Sequence, residues 1–257
     1  MKIFKRFLDF YIDCSIHVAF AVFSLLQITK LSLDIETEIS LDYFIFFGTI
    51  LGYNFLKYFE VFRRRTYTLK QNYLIIIFSI IAFLGMVYYY FQISISHKIA
   101  FLKIGIVVFA YPFLRNYGFW KMVIVSFCVT YITVYIPTLS KEINLNIFYF
   151  FQQFIIVLGL LIPLEIIDIE KDAKTIFTLP QKIGIKKTKF LGYLLLLIFL
   201  FLSFFSSRFI FKIDIITTTV IAFAIYFSNE KRSKYYTSFW VESIPILWWI
   251  LMFVYLK

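Results

Sequence analysis

The chain has 257 residues, 61% hydrophobic and 23% aromatic, with a mean hydropathy of +0.85. A soluble domain does not have that balance, and the net charge of +11 does not call for nucleic acid, because cytoplasmic loops of membrane proteins gather Lys and Arg. The two cysteines, Cys14 and Cys128, sit in apolar stretches, which excludes a disulfide framework, and no zinc constellation, P-loop or Gly-x-Gly-x-x-Gly turn is present.

The apolar residues fall in blocks of about 20, the length that crosses a hydrocarbon core of roughly 30 Å. Nine spans are expected, at 9–29, 40–61, 72–92, 99–114, 118–138, 146–167, 190–207, 211–228 and 236–256. The fold class is therefore all-α, a polytopic membrane protein with nine transmembrane helices around a central cavity, in one domain covering 1–257. No small-residue cleavage site follows the opening segment, so no signal peptide is expected to be removed. Spans two to four and six to eight each begin with a polar helix end and a basic loop, but the match between them is too weak to define a repeat.

Charge sets the expected orientation. With the N-terminus cytoplasmic, one side holds Lys2, Lys5 and Arg6, the Arg63–Arg65 run, Arg115 and Lys121, the six lysines from Lys171 to Lys189, and Lys231, Arg232 and Lys234. The other side holds Lys30, Lys98, Lys103, Lys141, Arg208, Lys212 and Lys257. That asymmetry fits nine spans with the C-terminus outside, in the plasma or inner membrane if the source is bacterial.

Polar residues inside or at the ends of spans are the candidate site. In span one, Lys5, Asp9, Asp13 and His17 follow at i+4 spacing and would share one helix face. Asp13 and His17 are candidate pocket residues; they serve equally well in an interhelical hydrogen-bond network. At the end of span two come Asn54, Lys57, Glu60 and the basic run that includes Arg64. An inward-facing Lys57 at that depth needs a partner, whereas the arginines are explained by topology alone. Span five opens with Arg115 and Lys121, either facing a cavity or snorkelling to the interface.

Span six ends in the stretch Pro163–Gly184, where Glu165, Asp168 and Asp172 are spaced i, i+3, i+7. Three carboxylates on one helix face repel one another unless a divalent cation or the following lysines sit among them. In span nine, Pro245 is expected to kink the helix, with Glu242 and Ser243 either satisfying the freed backbone groups or reaching the site.

The sequence Asp168-Ile169-Glu170-Lys171-Asp172, followed by Thr178-Leu179-Pro180 and Gly184, resembles the second aspartate-rich motif of the UbiA superfamily of intramembrane prenyltransferases. Asp168 and Asp172 stand on the motif's two aspartates, and Glu165 stands where many members have a further Asp. The family's first motif, Asn-Asp-x-x-Asp at the end of span two, is retained only as Asn54; Phe55 and Tyr58 occupy the aspartate positions. Phe cannot ligate a metal, and neutral Tyr is a poor ligand.

The resemblance implies a cavity open to the cytoplasm, with a polar cap above an apolar isoprenoid tunnel. It implies transfer of a prenyl group from a polyprenyl diphosphate to a lipophilic, quinone-type or other aromatic acceptor, with Mg²⁺ as cofactor. Asp168 and Asp172 would be catalytic, binding the metal with Glu165. Asn54, Lys57, Arg64, Lys121 and Lys174 would bind the diphosphate. The degenerate first motif supports an alternative, a UbiA-like protein that no longer catalyses and binds a lipid or assists assembly of a membrane complex. A transporter built on Asp13 and His17 is a third class.

Overall fold

The computed structural model describes residues 2–63, 69–114, 120–139, 146–169, 178–205 and 211–256. The sequence-derived expectation of helical spans holds throughout. Helix α1 is Lys2–Asp13, α2 Ile16–Leu33, α3 Ile39–Arg63, α4 Leu69–Tyr90 and α5 Ile95–Leu114. Helix α6 runs over Trp120–Thr138, α7 over Ile147–Ile167, the short α8 over Leu179–Ile183, α9 over Ile185–Phe204 and α10 over Phe211–Phe227. A π-helical segment at Tyr236–Val241 leads into α11, Ile244–Leu256. Among the described residues eight helical rods are long and apolar enough to cross a membrane, and α10, at 17 residues, makes the ninth layer.

One expectation is corrected. The first apolar block is not one rod from residue 9: it breaks at Asp13–Ser15 into α1 and the span α2. Ser15 takes the left-handed conformation, φ 59°, which turns the chain without a glycine. Lys5, Asp9 and Asp13 therefore share α1, while His17 belongs to another helix.

Prolines shape two of the spans. Pro137 and Pro245 lack the N–H that an α-helix needs, and each follows a π-helical segment, at Tyr131–Tyr135 and Tyr236–Val241. At the second, the Glu242 N–H reaches Thr237 O at 3.1 Å, an i−5 bond. Around it, Ser243 Oγ donates to Phe239 O (2.5 Å) and His17 Nε2 donates to the same carbonyl (2.9 Å).

The main core joins α2, α6, α7, α9, α10 and α11 through Ile28, Met122, Ile162, Phe199, Ile221 and Trp248. A second apolar cluster packs α2 and α3 against α5 and α6. The end of the bundle formed by the α2–α3 loop is pinned by Asp42, which accepts from Lys30 Nζ (2.7 Å), Gln27 Nε2 (3.0 Å) and Thr37 Oγ1 (2.7 Å). At the α9–α10 turn, Ser203 Oγ donates to buried Asp214.

Close packing along α9 depends on Gly192. A Cβ there would fall 2.8 Å from Ile225 Cδ1 and 3.3 Å from Ile162 Cγ2, so α7, α9 and α10 meet where a side chain has no room. Gly192→Val is expected to lower stability by about 1–3 kcal/mol, and Gly192→Ala by less, since the Ile225 methyl can shift. Thermal unfolding of the purified protein in detergent measures both.

Candidate functional site

The groups singled out in the sequence gather where α1 ends, α3 and α7 finish and α6 begins. Asp168 caps the C-terminus of α7, its N–H bonded to Leu164 O at 3.0 Å. Glu165, in the last turn of α7, is buried, and its Oε1 accepts from Lys121 Nζ of α6 at 2.9 Å. The lysine is therefore inward-facing, and the repulsion expected between Glu165 and Asp168 is relieved by a cation of the protein's own. Asp172, Lys174 and Arg64 lie outside the described residues.

Beyond Asp168, the chain is fastened back to the end of α7. Gln181, at the third position of α8, accepts from the Thr178 N–H (2.9 Å) and donates through Nε2 to Ile169 O (3.0 Å). This is half of a capping box combined with a tie back to Ile169 at the end of α7. Gly184 then starts α9 at φ 83°, ψ 155°, a conformation essentially open only to glycine. The Thr-Leu-Pro…Gly signature thus serves as structural punctuation: a cap, a helix-starting proline and a positive-φ hinge.

The positions of the first motif have a different use. Asn54 is buried; its Oδ1 accepts from Ser15 Oγ (2.6 Å), and its Nδ2 donates to Ser79 Oγ (3.0 Å) and Cys14 O (3.4 Å). Lys57 Nζ donates to the carbonyls of Ile12 (3.4 Å) and Asp13 (3.3 Å) and pairs with Asp13 Oδ1 (3.1 Å). Tyr58 Oη donates to Asp13 O at 3.0 Å. These three side chains satisfy the carbonyls stranded where α1 stops, with the lysine at the negative end of that helix. Phe55 instead points outward and stacks on Phe109 of α5, ring centroids 5.9 Å apart.

His17 is committed to packing. A carbonyl can only accept, so Nε2 carries the proton given to Phe239 O, and Nδ1 accepts from Tyr11 Oη at 3.0 Å. The imidazole also stacks on Phe239, centroids 5.0 Å apart. Asp13, by contrast, keeps 37% of its side chain exposed beside Lys57. The two candidate pocket residues therefore face different surroundings.

Two further residues join the cluster: Glu242, for which the sequence leaves a place at the site open, and Tyr53, which it does not single out. Glu242, just after the π segment, lies within electrostatic range of both Lys57 and Asp168. Tyr53 of α3 lies within range of Glu242, Asp168 and Tyr111. An ionisable residue inside a span was the available signal for Glu242; Tyr53 is one aromatic among many and carried none. Outside the spans, Tyr235 Oη donates to Asp9 Oδ1 at 2.5 Å, with Lys234 Nζ at 3.4 Å. The tyrosine's bond, against the opposing effect of burial and with help from Lys234 and Lys5, holds the Asp9 carboxyl below its usual range. Being favoured by ionisation, this tie is intact at neutral pH and weakens only as pH falls through that lowered range.

The donor set suits a hard cation. Mg²⁺ takes oxygen ligands and is commonly held by one or two carboxylates plus substrate phosphates. Asp168 offers such an oxygen, and Glu165 a second that is already neutralised in part by Lys121. Among the described residues no group of three or more His, Cys, Asp or Glu could hold a metal by itself.

The helical bundle, with eight rods among the described residues long and apolar enough to cross a membrane, has the fold of UbiA homologues. Comparison with solved structures bears this out. The chain matches a UbiA homologue from Archaeoglobus fulgidus bound to GPP and Mg²⁺ with a TM-score of 0.68 at 15% identity, covering 95% of this chain and 98% of that one. It matches a UbiA homologue from the same organism bound to DMAPP and Mg²⁺ with a TM-score of 0.67, 15% identity and coverage of 96% and 98%. A structure of digeranylgeranylglyceryl phosphate synthase gives 0.59, 16% identity and 98% coverage of each chain. No family model matches the sequence, and no curated protein matches it.

Burial pushes the Cys14 thiol up to about 11, so about one thiol in a thousand is ionised at pH 8. With Cys128→Ser as background, Cys14 is expected to resist alkylation, and Asn54→Ala, which opens the α1–α2 clamp, to speed it roughly tenfold; mass spectrometry of the labelled protein reads this directly. For the buried pair, Lys121→Met removes a partner of Glu165 and is expected to cost about 3–5 kcal/mol, while Lys121→Met combined with Glu165→Leu recovers most of that loss. Thermal unfolding of the two variants makes the comparison.

Proposed function

We propose that this protein is a UbiA-type prenyltransferase, moving a polyprenyl group from its diphosphate to a lipophilic acceptor within the membrane. The observation that carries this reading is the convergence of Asp168, Glu165 and Lys121 at the end of α7 with Lys57 and Glu242 from two other helices, on a fold shared with proteins that bind GPP or DMAPP with Mg²⁺.

In this reading Asp168 and Asp172 hold Mg²⁺, with Glu165 supporting. Mg²⁺, when bound, offsets negative charge on the diphosphate. Lys57, Lys121, Arg64 and Lys174 bind the diphosphate oxygens that the metal does not reach, Arg as a planar fork and Lys as a point charge. Asn54 fixes the α3 end on which Lys57 stands. The allylic C–O bond breaks, its electron pair leaving with the diphosphate, where these cations stabilise the growing charge. The acceptor's nucleophilic atom then bonds to the allylic carbon and gives up its proton. The basic end of the bundle faces the cytoplasm and the prenyl chain runs into the apolar interior.

A second reading has its own observation: Asn54, Lys57 and Tyr58, at the positions of the first motif, are occupied in closing the α1–α2 break. A protein that keeps the fold but uses that motif as scaffold would bind a prenyl lipid without transferring it.

The two readings separate in one experiment. The protein in lipid, given Mg²⁺ and radiolabelled polyprenyl diphosphates with extracted membrane lipid as acceptor, is expected to release diphosphate and label a lipid. Asp168→Asn and Asp172→Asn are expected to reduce this by at least about a hundredfold. Binding of the diphosphate without turnover supports the scaffold reading; no binding with or without Mg²⁺ overturns both.

A further inference from the structure

A groove of about 480 Å³ lies between α9 and α10, away from the cluster described above, and opens outward along the bundle's side. Tyr193, Leu197 and Leu200 line it from α9, and Ala222, Phe223 and Tyr226 from the antiparallel α10. On α9, Lys189, Tyr193, Leu197 and Leu200 are spaced i, i+4, i+8, i+11, so one stripe runs from a cation through an aromatic into aliphatic side chains. Leu197 and Phe223 are exposed, as side chains that meet lipid are.

Two cations stand at the C-terminal end of α10, next to Tyr226 at one end of the groove. Lys189 Nζ donates to Tyr226 O at 2.7 Å, and Arg232 Nε donates to Phe227 O at 3.1 Å. They sit together because they cap successive carbonyls at the C-terminus of α10. The Arg232 guanidinium also lies over the Tyr236 ring, 5.3 Å from its centroid. Each of these bonds uses one donor of a side chain that has three or five. The α10–α11 loop carries Glu230 but also Lys231 and Lys234, so this end stays positive. Tyr193 and Tyr226 stand between the cations and the aliphatic floor, at the level where aromatic rings favour the membrane interface. From Lys189 to Leu200 is about 16 Å along the helix, a large part of an acyl chain.

We infer that the α9–α10 groove is a site for an anionic phospholipid, its acyl chain between the two helices and its phosphate on Lys189 and Arg232. Ordinary lipid would fill any concavity on this face. The paired cations make the site selective for head-group charge, and the concave floor, opened by Ala222 between larger residues, makes it selective for a chain. The site is independent of prenyl transfer and stands or falls separately from it.

Native mass spectrometry of the full chain, equilibrated with equal amounts of phosphatidylglycerol and phosphatidylcholine, tests this. The wild-type chain is expected to retain phosphatidylglycerol preferentially. Lys189→Gln combined with Arg232→Gln is expected to lower that retention roughly tenfold or more, leaving phosphatidylcholine unchanged; Lys98→Gln with Lys103→Gln, on α5 away from the groove, leaves both unchanged. Because Lys189 and Arg232 also cap α10, Ala222→Phe supplies a second test that keeps the cap and fills the floor, and it too is expected to lose phosphatidylglycerol. Equal retention of the two lipids by the wild-type chain overturns the inference, as does wild-type retention of phosphatidylglycerol in Ala222→Phe or in the double Gln variant.

Discussion

Where a helix stops at the edge of a membrane, its last carbonyls need partners, and much of the site end follows from how this chain supplies them. α1 ends at Asp13, and the carbonyls of Ile12 and Asp13 are taken by Lys57 and Tyr58, while Asn54 binds Ser15 and Cys14 across the break. That clamp holds α1 against the end of α3. It also settles what becomes of the polar face of α3: Lys57 is brought beside Asp13, within reach of Glu242. A change that released the break would move the cation, the carboxylate and the helix together.

The second fixed point is the Lys121–Glu165 pair. Its acid is buried and its lysine is one-fifth exposed, so the two charges meet in surroundings that screen them poorly. Such a pair contributes little net stability compared with apolar packing, but it specifies geometry: α6 and α7 can adopt only a register that brings lysine to glutamate. The charge of Lys121 is thus shared with Glu165.

Most of the architecture was legible because spans are written in long apolar runs that the bilayer enforces. The span boundaries at α3, α5, α7 and α10 fall within a few residues of the expected ones. The α1–α2 break was not legible. No Gly or Pro marks it, and hydropathy runs straight through it; what breaks the helix is Asn54, Lys57 and Tyr58, some 40 residues away. The i+4 ladder from Lys5 to Asp13 was a true signal of a polar face, but of a helix that ends before the span begins. The acids of α7 were legible as a cluster because charge is so rare in such a chain. That Lys121 pairs with Glu165 could not be read, since the sequence placed Lys121 at an interface or a cavity with equal ease. Pro245 announced a distortion, and the π segment that precedes it is the form the backbone chose.

The contacts of α1 have a consequence for how the chain is made. Asp9 of α1 and His17 just beyond it find partners at Tyr235, Phe239 and Ser243, more than 220 residues later. During synthesis the first helix emerges long before those partners exist, and they arrive with the last span. The contacts of Asp9 therefore form only when residues 234–235 have been made, whereas Asp13 meets Lys57 of α3 early. A chain truncated before residue 235 would keep most of the spans and lose the contacts of Asp9 and His17 with residues 235–243.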